Sequence, residues 1–360
     1  MPSEVSKPYI SETQASELLE RVFGLAVSRL SPLPSYDDQN FHAVVPGRGE
    51  FLVKVTNTED SCNAELLEAQ TRSMMYLQEQ GLPVPTPLLT RDGNIMSLQS
   101  IDCGSGECKY MVRVLTYLPG IPIAKIPSSP QILYEAGSSA ATLDKVLQGF
   151  EHPSLQSLHR ENFIWSLSNI PLLESYLDAL GQEPTSKVVK EVIQQFKDKI
   201  QPNLGVFRKC INHGDFNDHN ILIEAEARSP QRYRISGILD FGDMSYGYYV
   251  FEVAICIMYM MIESEEPLSV GGHVLAGYES VIPLNPEERD ALFLLVLARF
   301  CQSLVMARHS ITIQPTNAEY LMITARSGWK HLLRLWEMGR EAVEQLWFGT
   351  VSSYQAAERP

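Results

Sequence analysis

The sequence has no cluster of Lys and Arg, no C-x-x-C pair and no N-x-S/T glycosylation site. Each absence removes a class of function. With 29 basic residues against 43 acidic ones the net charge is −14. Such a chain is a poor ligand for nucleic acid and for anionic membranes, so neither is expected as a partner. The same charge tolerates a cationic substrate. The six cysteines, at positions 62, 103, 108, 210, 256 and 301, show no zinc-type spacing. Cys103 and Cys108 bracket Gly-Ser-Gly-Glu and read as loop, whereas Cys256 and Cys301 sit in apolar helical stretches as small packed thiols. The N-terminus lacks an apolar leader, and Glu4, Glu12 and Glu17 argue against a transit peptide. The longest apolar runs, Ala254–Ile262 and Ala291–Ala298, are too short to span a bilayer. The expectation is a cytoplasmic protein. Internal repeats, low-complexity segments and coiled-coil heptads are absent as well.

What is present fits an α+β chain of 360 residues, long enough for two lobes with cores of their own. Ser11–Phe23 predicts a helix, opened by a Ser11/Gln14 capping box and closed by Gly24. A turn-rich stretch, 32–40, leads into a hairpin over residues 41–56, in which Phe51, Val53 and Val55 face one way and Leu52 and Lys54 the other. A helix follows from about Asp60 to Gln80 and stops at Gly81-Leu-Pro-Val-Pro. Ile95–Gln99 and Tyr110–Leu118 read as strands. The boundary between lobes is placed there: 1–116 as a small antiparallel sheet with a helix, 117–360 as a mostly helical lobe. Helices are expected over about 130–147, 160–180 and 185–200, then a short hairpin (Asn220–Ile223 with Tyr233–Leu239) and further helices. Met258, Met260 and Met261 read as core filler.

Two polar clusters flanked by apolar residues carry the chemistry: Ile211–Ile223, INHGDFNDHNILI, and Ile238–Asp243, ILDFGD. In the first, Asp215 and Asn220 stand in the order D-x-x-x-x-N; in the second, Asp240 opens D-F-G. This pairing suits phosphoryl transfer, where one carboxylate aims an acceptor hydroxyl while an amide and a second carboxylate hold Mg2+. Asp215 is the catalytic candidate; Asn220 and Asp240 are the metal candidates, both hard oxygen donors. Lys54, alone, reads as a solvated strand lysine. Beside these motifs it reads as a grip on nucleotide phosphates, steadied by a helix carboxylate, Glu65 or Glu68. The nucleotide base is expected against the backbone of about Arg113–Tyr117. His213 reads as structural. A transition-metal hydrolase using His213, Asp215, Asp218 and His219 is the competing reading of the loop.

These motifs resemble the aminoglycoside phosphotransferase and choline kinase group of small-molecule kinases, over roughly residues 10–345. H-G-D-F-N-D-H-N is similar to that family's catalytic loop and L-D-F-G-D to its metal segment. S-Y-D-D-Q-N-F, Ser35–Phe41, is similar to a loop that covers phosphates, without the G-x-G-x-x-G of protein kinases. L-E-A-Q, Leu67–Gln70, followed by G-L-P-V-P, favours Glu68 over Glu65. The resemblance implies a protein-kinase-like two-lobed fold, a nucleotide donor with Mg2+, and nucleotide contacts from Lys54, Glu68, Ser35, Tyr36 and Tyr117. Within the family, the chain is similar to the branch that phosphorylates the hydroxyl of 5-hydroxy-L-lysine with GTP. ATP as donor stays open, as do other amine-bearing alcohols such as choline, ethanolamine, homoserine or an aminoglycoside. Two ammonium groups on the acceptor would call for carboxylates, and Asp218, Asp243 and Glu252 are the candidates. A nucleotide-binding pseudokinase is opposed by the retention of Lys54, Asp215, Asn220 and Asp240. A protein kinase is opposed by Asn217, where many such enzymes carry a lysine, and by the lack of A-P-E after D-F-G.

Overall fold

A computed structural model describes residues 7–103, 106–181, 184–226, 229–313 and 322–357. Gly104 and Ser105, inside the expected loop between Cys103 and Cys108, lie outside the described residues. The chain divides into two compact units: Met1–Pro119 with Phe150–Leu158, and Gly120–Gly149 with His159–Pro360.

The first unit is built on a five-stranded antiparallel sheet in the order β1-β2-β3-β5-β4, with β1 Arg29–Leu33, β2 Gln39–Val45, β3 Gly49–Val55, β4 Ser97–Asp102 and β5 Glu107–Thr116. Helix α1, Glu12–Phe23, starts on the capping box of Ser11 and Gln14 and ends at Gly24 in the left-handed region. Its buried residues Ala15, Leu18, Leu19 and Phe23 share one core with Phe41, Phe51, Val53, Val55, Tyr110, Val112 and Val114 of the sheet. The period-2 alternation on β3 therefore buries Phe51, Val53 and Val55 together, as expected.

Strand β1 is absent from the sequence reading. Its Pro32 suggests a turn, yet an edge strand tolerates a residue without an N–H. The expected 60–80 helix is two pieces, α2 Thr58–Ser61 and α3 Ala64–Glu79, because the Asn63 side chain accepts from Leu66 N–H and starts a new cap. The single boundary at 116/117 also needs correction. Phe150–Leu158 returns to the first unit, where the Phe150 ring stands 5.2 Å from Tyr76 and Ser154 Oγ donates to Glu68 Oε2 at 3.2 Å, both on α3.

In the second unit helices predominate: α4 Pro130–Leu147, α5 Pro184–Gln195, α6 Tyr249–Ile262, α7 Pro267–Glu279, α8 Pro286–Ile313, α9 Ala325–Met338 and α10 Arg340–Ala357. Two small sheets accompany them: β6 (Ile121–Pro122) with β8 (Ile221–Glu226) and β9 (Ser229–Ile238), and β7 (Lys209–Asn212) with β10 (Ser245–Tyr248). Helices α4 and α7 meet so closely that a Cβ on Gly137 would lie 1.9 Å from Val274 O, and one on Gly277 1.9 Å from Tyr134 O. Every residue of α6, its methionines included, is buried.

Residues 160–180 do not form the continuous helix that periodicity suggests. Turns lead into a 3₁₀ stretch, Leu167–Leu180, broken at Asn169 and carrying Pro171, which has no N–H to continue an α-helix. The apolar run Ala291–Ala298 belongs to a much longer helix. By length and composition α8 could cross a membrane, but 89% of its apolar window is buried inside the chain. It packs on α6 and on the Leu167–Leu180 stretch. The run is cut short in sequence by Arg299, through which the helix continues.

Candidate active site

The second unit assembles the catalytic-loop candidates by register. Strand β7 delivers the chain at Asn212 and β8 takes it up again at Ile221, so residues 213–220 form the connection. Pairing of Ile221 with Ile238 and the bond from Leu239 N–H to Asn220 O (2.8 Å) set the start of D-F-G beside Asn220. Gly214 has φ +84°, and a Cβ there would stand 2.5 Å from Asp243 O. Positive φ and close approach both demand glycine.

His213 is fully buried. Its Nε2 bonds Leu239 O at 2.8 Å and its Nδ1 accepts from Asp215 N–H at 3.3 Å, with the rings of Phe241 and Phe216 against it. Burial lowers its basicity. Both nitrogens are committed, which leaves no lone pair for the transition-metal reading. Among the described residues no group of three or more His, Cys, Asp or Glu could hold a metal ion. The imidazole is a strut between the two motifs.

Asp215 is held from several sides. Its Oδ2 accepts from Asn217 Nδ2 and from Asn220 Nδ2, each at 2.9 Å. Its Oδ1 accepts from Arg299 Nη2 at 3.4 Å. Burial pushes its pKa up, and the Arg299 charge pulls against that. Asn220 Nδ2 also donates to Asp215 O at 3.0 Å, so its amide nitrogen is used on Asp215 and its oxygen is the end left for a ligand. Asp240, exposed, is the one non-glycine residue with positive φ (55°) among those described. Backbone held in that sparsely populated region costs about 1–3 kcal/mol and marks sites where position matters. Its Oδ1 accepts from Gly242 N–H at 3.3 Å. An amide oxygen and a carboxylate, brought together by the β8–β9 register, form a donor set suited to magnesium.

The three acceptor candidates differ. Asp218 is buried, its carboxyl is pushed up to about 7 by burial, and its Oδ2 has no hydrogen-bond partner. Asp243 is pushed up to about 8 by burial first and then by Asp215, with Arg160 and Arg299 acting the other way. Glu252 is corrected by its surroundings. It is fully buried near the start of α6, and its carboxylate takes the N–H groups of His213 and Gly214. It fixes the candidate loop at residues 213–214 and has no surface left for a ligand.

In the first unit Lys54 is buried on β3, and its Nζ lies 3.3 Å from Asp38 Oδ2. Asp38 Oδ1 in turn accepts from the backbone and side-chain amides of Asn57, at 2.9 and 3.1 Å. Ser35 Oγ donates to Asp38 O, while Ser35 O and Tyr36 O both accept from Lys7 Nζ at 3.0 Å. The 35–38 loop and Lys54 are thus one cluster. Glu68, expected beside the lysine, lies 3.7 Å from Arg72 and accepts from Ser154. Tyr117 is exposed and stacked on His42, ring centroids 4.2 Å apart.

Three contributions escape the sequence reading: Asp38 beside Lys54, Asn217 on the Asp215 carboxylate, and Arg299. Asn217 appears in sequence only as a departure from the protein-kinase lysine. Its oxygen accepts the N–H groups of His219 and Asn220, each at 2.9 Å, so it braces the loop and Asp215 at once. The sequence signal for Arg299 is an arginine inside an otherwise apolar helical run.

Comparison with known proteins gives the family. A phosphotransferase enzyme family matches residues 29–292. Hydroxylysine kinase from Bos taurus is 58% identical over 361 residues, covering 98% of this chain and 96% of its own length. The Danio rerio hydroxylysine kinase is 54% identical, covering 99% of each. Among solved structures, a microcompartment-associated aminopropanol kinase aligns with TM-score 0.67 at 17% identity, over 91% of this chain and 98% of that one.

Proposed function

The chain belongs to the phosphotransferase enzyme family and is an enzyme that transfers a phosphoryl group to an alcohol, and from that premise we propose that it phosphorylates the hydroxyl of 5-hydroxy-L-lysine, with GTP as donor. The observation that carries the acceptor is the near-full-length identity of 53–58% to four hydroxylysine kinases. The roles follow from the site. Asp215 accepts a hydrogen bond from the acceptor hydroxyl and takes its proton as the oxygen attacks the γ-phosphorus. The bond to the β-phosphate oxygen then breaks and the nucleoside diphosphate leaves with its electrons. Oδ1 of Asp215, with one long bond from Arg299, has more room for that hydroxyl than Oδ2, which serves two amides. Asn220 and Asp240 are the residues that would hold magnesium, whose charge offsets that of the phosphate oxygens. Lys54, steadied by Asp38, grips the phosphates, and Ser35, Tyr36 and Tyr117 contact the nucleotide. Asp218, with a buried oxygen lacking a partner, and Asp243 suit the acceptor's ammonium groups. A cytoplasmic location is part of the proposal.

Coupled release of nucleoside diphosphate tests this directly. GTP or ATP with magnesium is offered with hydroxylysine, choline, ethanolamine, homoserine or an aminoglycoside, with Asp215→Asn as control. Turnover on hydroxylysine that disappears in the variant is the expected result. Preference for another alcohol would retain the mechanism and discard this acceptor. A protein that binds nucleotide and turns over none of them would overturn the proposal.

A further inference from the structure

We infer that Arg299 is a positioning residue for phosphoryl transfer, aiming the Asp215 carboxylate from inside α8. The inference rests on Asp215 being the base. A guanidinium in the middle of an apolar, buried helix is costly unless its donors are met. Arg299 is fully buried; its Nε has no partner, but both terminal nitrogens are met, by the 214–215 turn, Trp165 O, Tyr259 and Gln302. Nη2 donates to Gly214 O (3.2 Å), Asp215 Oδ1 (3.4 Å) and the Tyr259 hydroxyl (3.2 Å). Nη1 donates to Trp165 O (3.0 Å) and Gln302 Oε1 (2.7 Å). The rings of Trp165 and Tyr259 flank the cation at 5.4 and 5.2 Å. Gln302, one turn further on, donates to Ile164 O and to Ser166 O (3.2 Å), so two side chains of α8 clamp residues 164–166 while one of them reaches the base.

A simple strut would satisfy backbone carbonyls alone. Here the fork also bonds the reacting carboxylate, on the oxygen opposite the one that Asn217 and Asn220 hold. Rotation of Asp215 about its side-chain bonds is thereby blocked from both sides. Lysine could restore the charge but not two coplanar nitrogens that reach Asp215 and residue 165 at once.

The test compares Arg299→Met, Arg299→Lys, Asp215→Asn and the doubles Asp215→Asn/Arg299→Met and Asp215→Asn/Arg299→Lys, with kcat, both KM values and thermal midpoint measured on each. Arg299→Met is expected to lower kcat about 100-fold with nucleotide KM within about twofold, and Arg299→Lys to recover part of it. Because Arg299 acts through Asp215, each double variant should be no slower than Asp215→Asn alone. A folded Arg299→Met with kcat within about twofold of the parent, or losses that multiply in the doubles, would overturn the inference. Should Arg299→Met fail to fold, the lysine cycle decides on the same criterion. If Asp215→Asn itself keeps full activity, the fault lies with the assignment of the base and not with Arg299.

Discussion

Around Asp215 the structure crowds carboxylates that would each be ordinary elsewhere. Asp243 shows the consequence most clearly: burial and the neighbouring Asp215 hold its carboxyl up near 8, and the charges of Arg160 and Arg299 only partly offset them. A ligand cation arriving there would relieve the same strain, since opposite charge favours the ionised form. Asp243→Asn is therefore expected to raise KM for the amine-bearing acceptor several-fold while leaving nucleotide KM unchanged. Equal shifts in both, or none, would remove Asp243 from the acceptor site. At this scale the sequence discloses the residues that are close along the chain. Asp215 and Asn220 announce themselves because their spacing on one loop is their geometry, whereas Asp240 is known by its D-F-G and reaches Asn220 through the β8–β9 pairing. Asp38 and Arg299 do not, since each reaches its partner through the fold; Arg299 lies 84 positions from Asp215 in sequence.

Among the elements, α6 has the most direct hold on the candidate site. Glu252 in its first turn takes two backbone N–H groups of the 213–220 loop, a charge-assisted anchor placed where a helix N-terminus favours negative charge. Burial outweighs both aids and raises its carboxyl from 4.5 to about 7. Between those values the folded protein keeps a proton that the unfolded chain has released. The contribution to stability is therefore full below about pH 4.5 and lost as pH rises through 7. In nucleotide-free protein, Glu252→Gln should flatten the fall of the thermal midpoint across that window; an unchanged slope would assign the titration elsewhere. Elements with strong local signals are legible: α1 from its capping box, β2 and β3 from alternation, α4 from its apolar spacing. Others depend on neighbours. Strand β1 is a strand only because β2 offers it a partner, and Leu167–Leu180 is coiled tightly because Pro171 and Asn169 interrupt a pattern that is otherwise helical.

For the molecule as a whole, the net charge of −14 sets a long-range field that draws in a cationic amino acid and repels a nucleotide. Salt screens that field over about 8 Å at physiological ionic strength. Raising ionic strength should therefore raise KM for the proposed acceptor more than for a neutral alcohol. A salt response that ignores acceptor charge would mean that local contacts alone govern its capture.

The long buried helix α8 also bears on how the chain comes into being. A segment that could pass for a membrane span is a hazard while it is naked, open to insertion machinery or to aggregation. Its main covers, α6 and the 167–180 stretch, precede it in the chain. As synthesis proceeds from the N-terminus, they have already emerged when α8 does. Birth order thus shields this long apolar helix at the moment it appears, and the arginine it carries to Asp215 goes under cover with it.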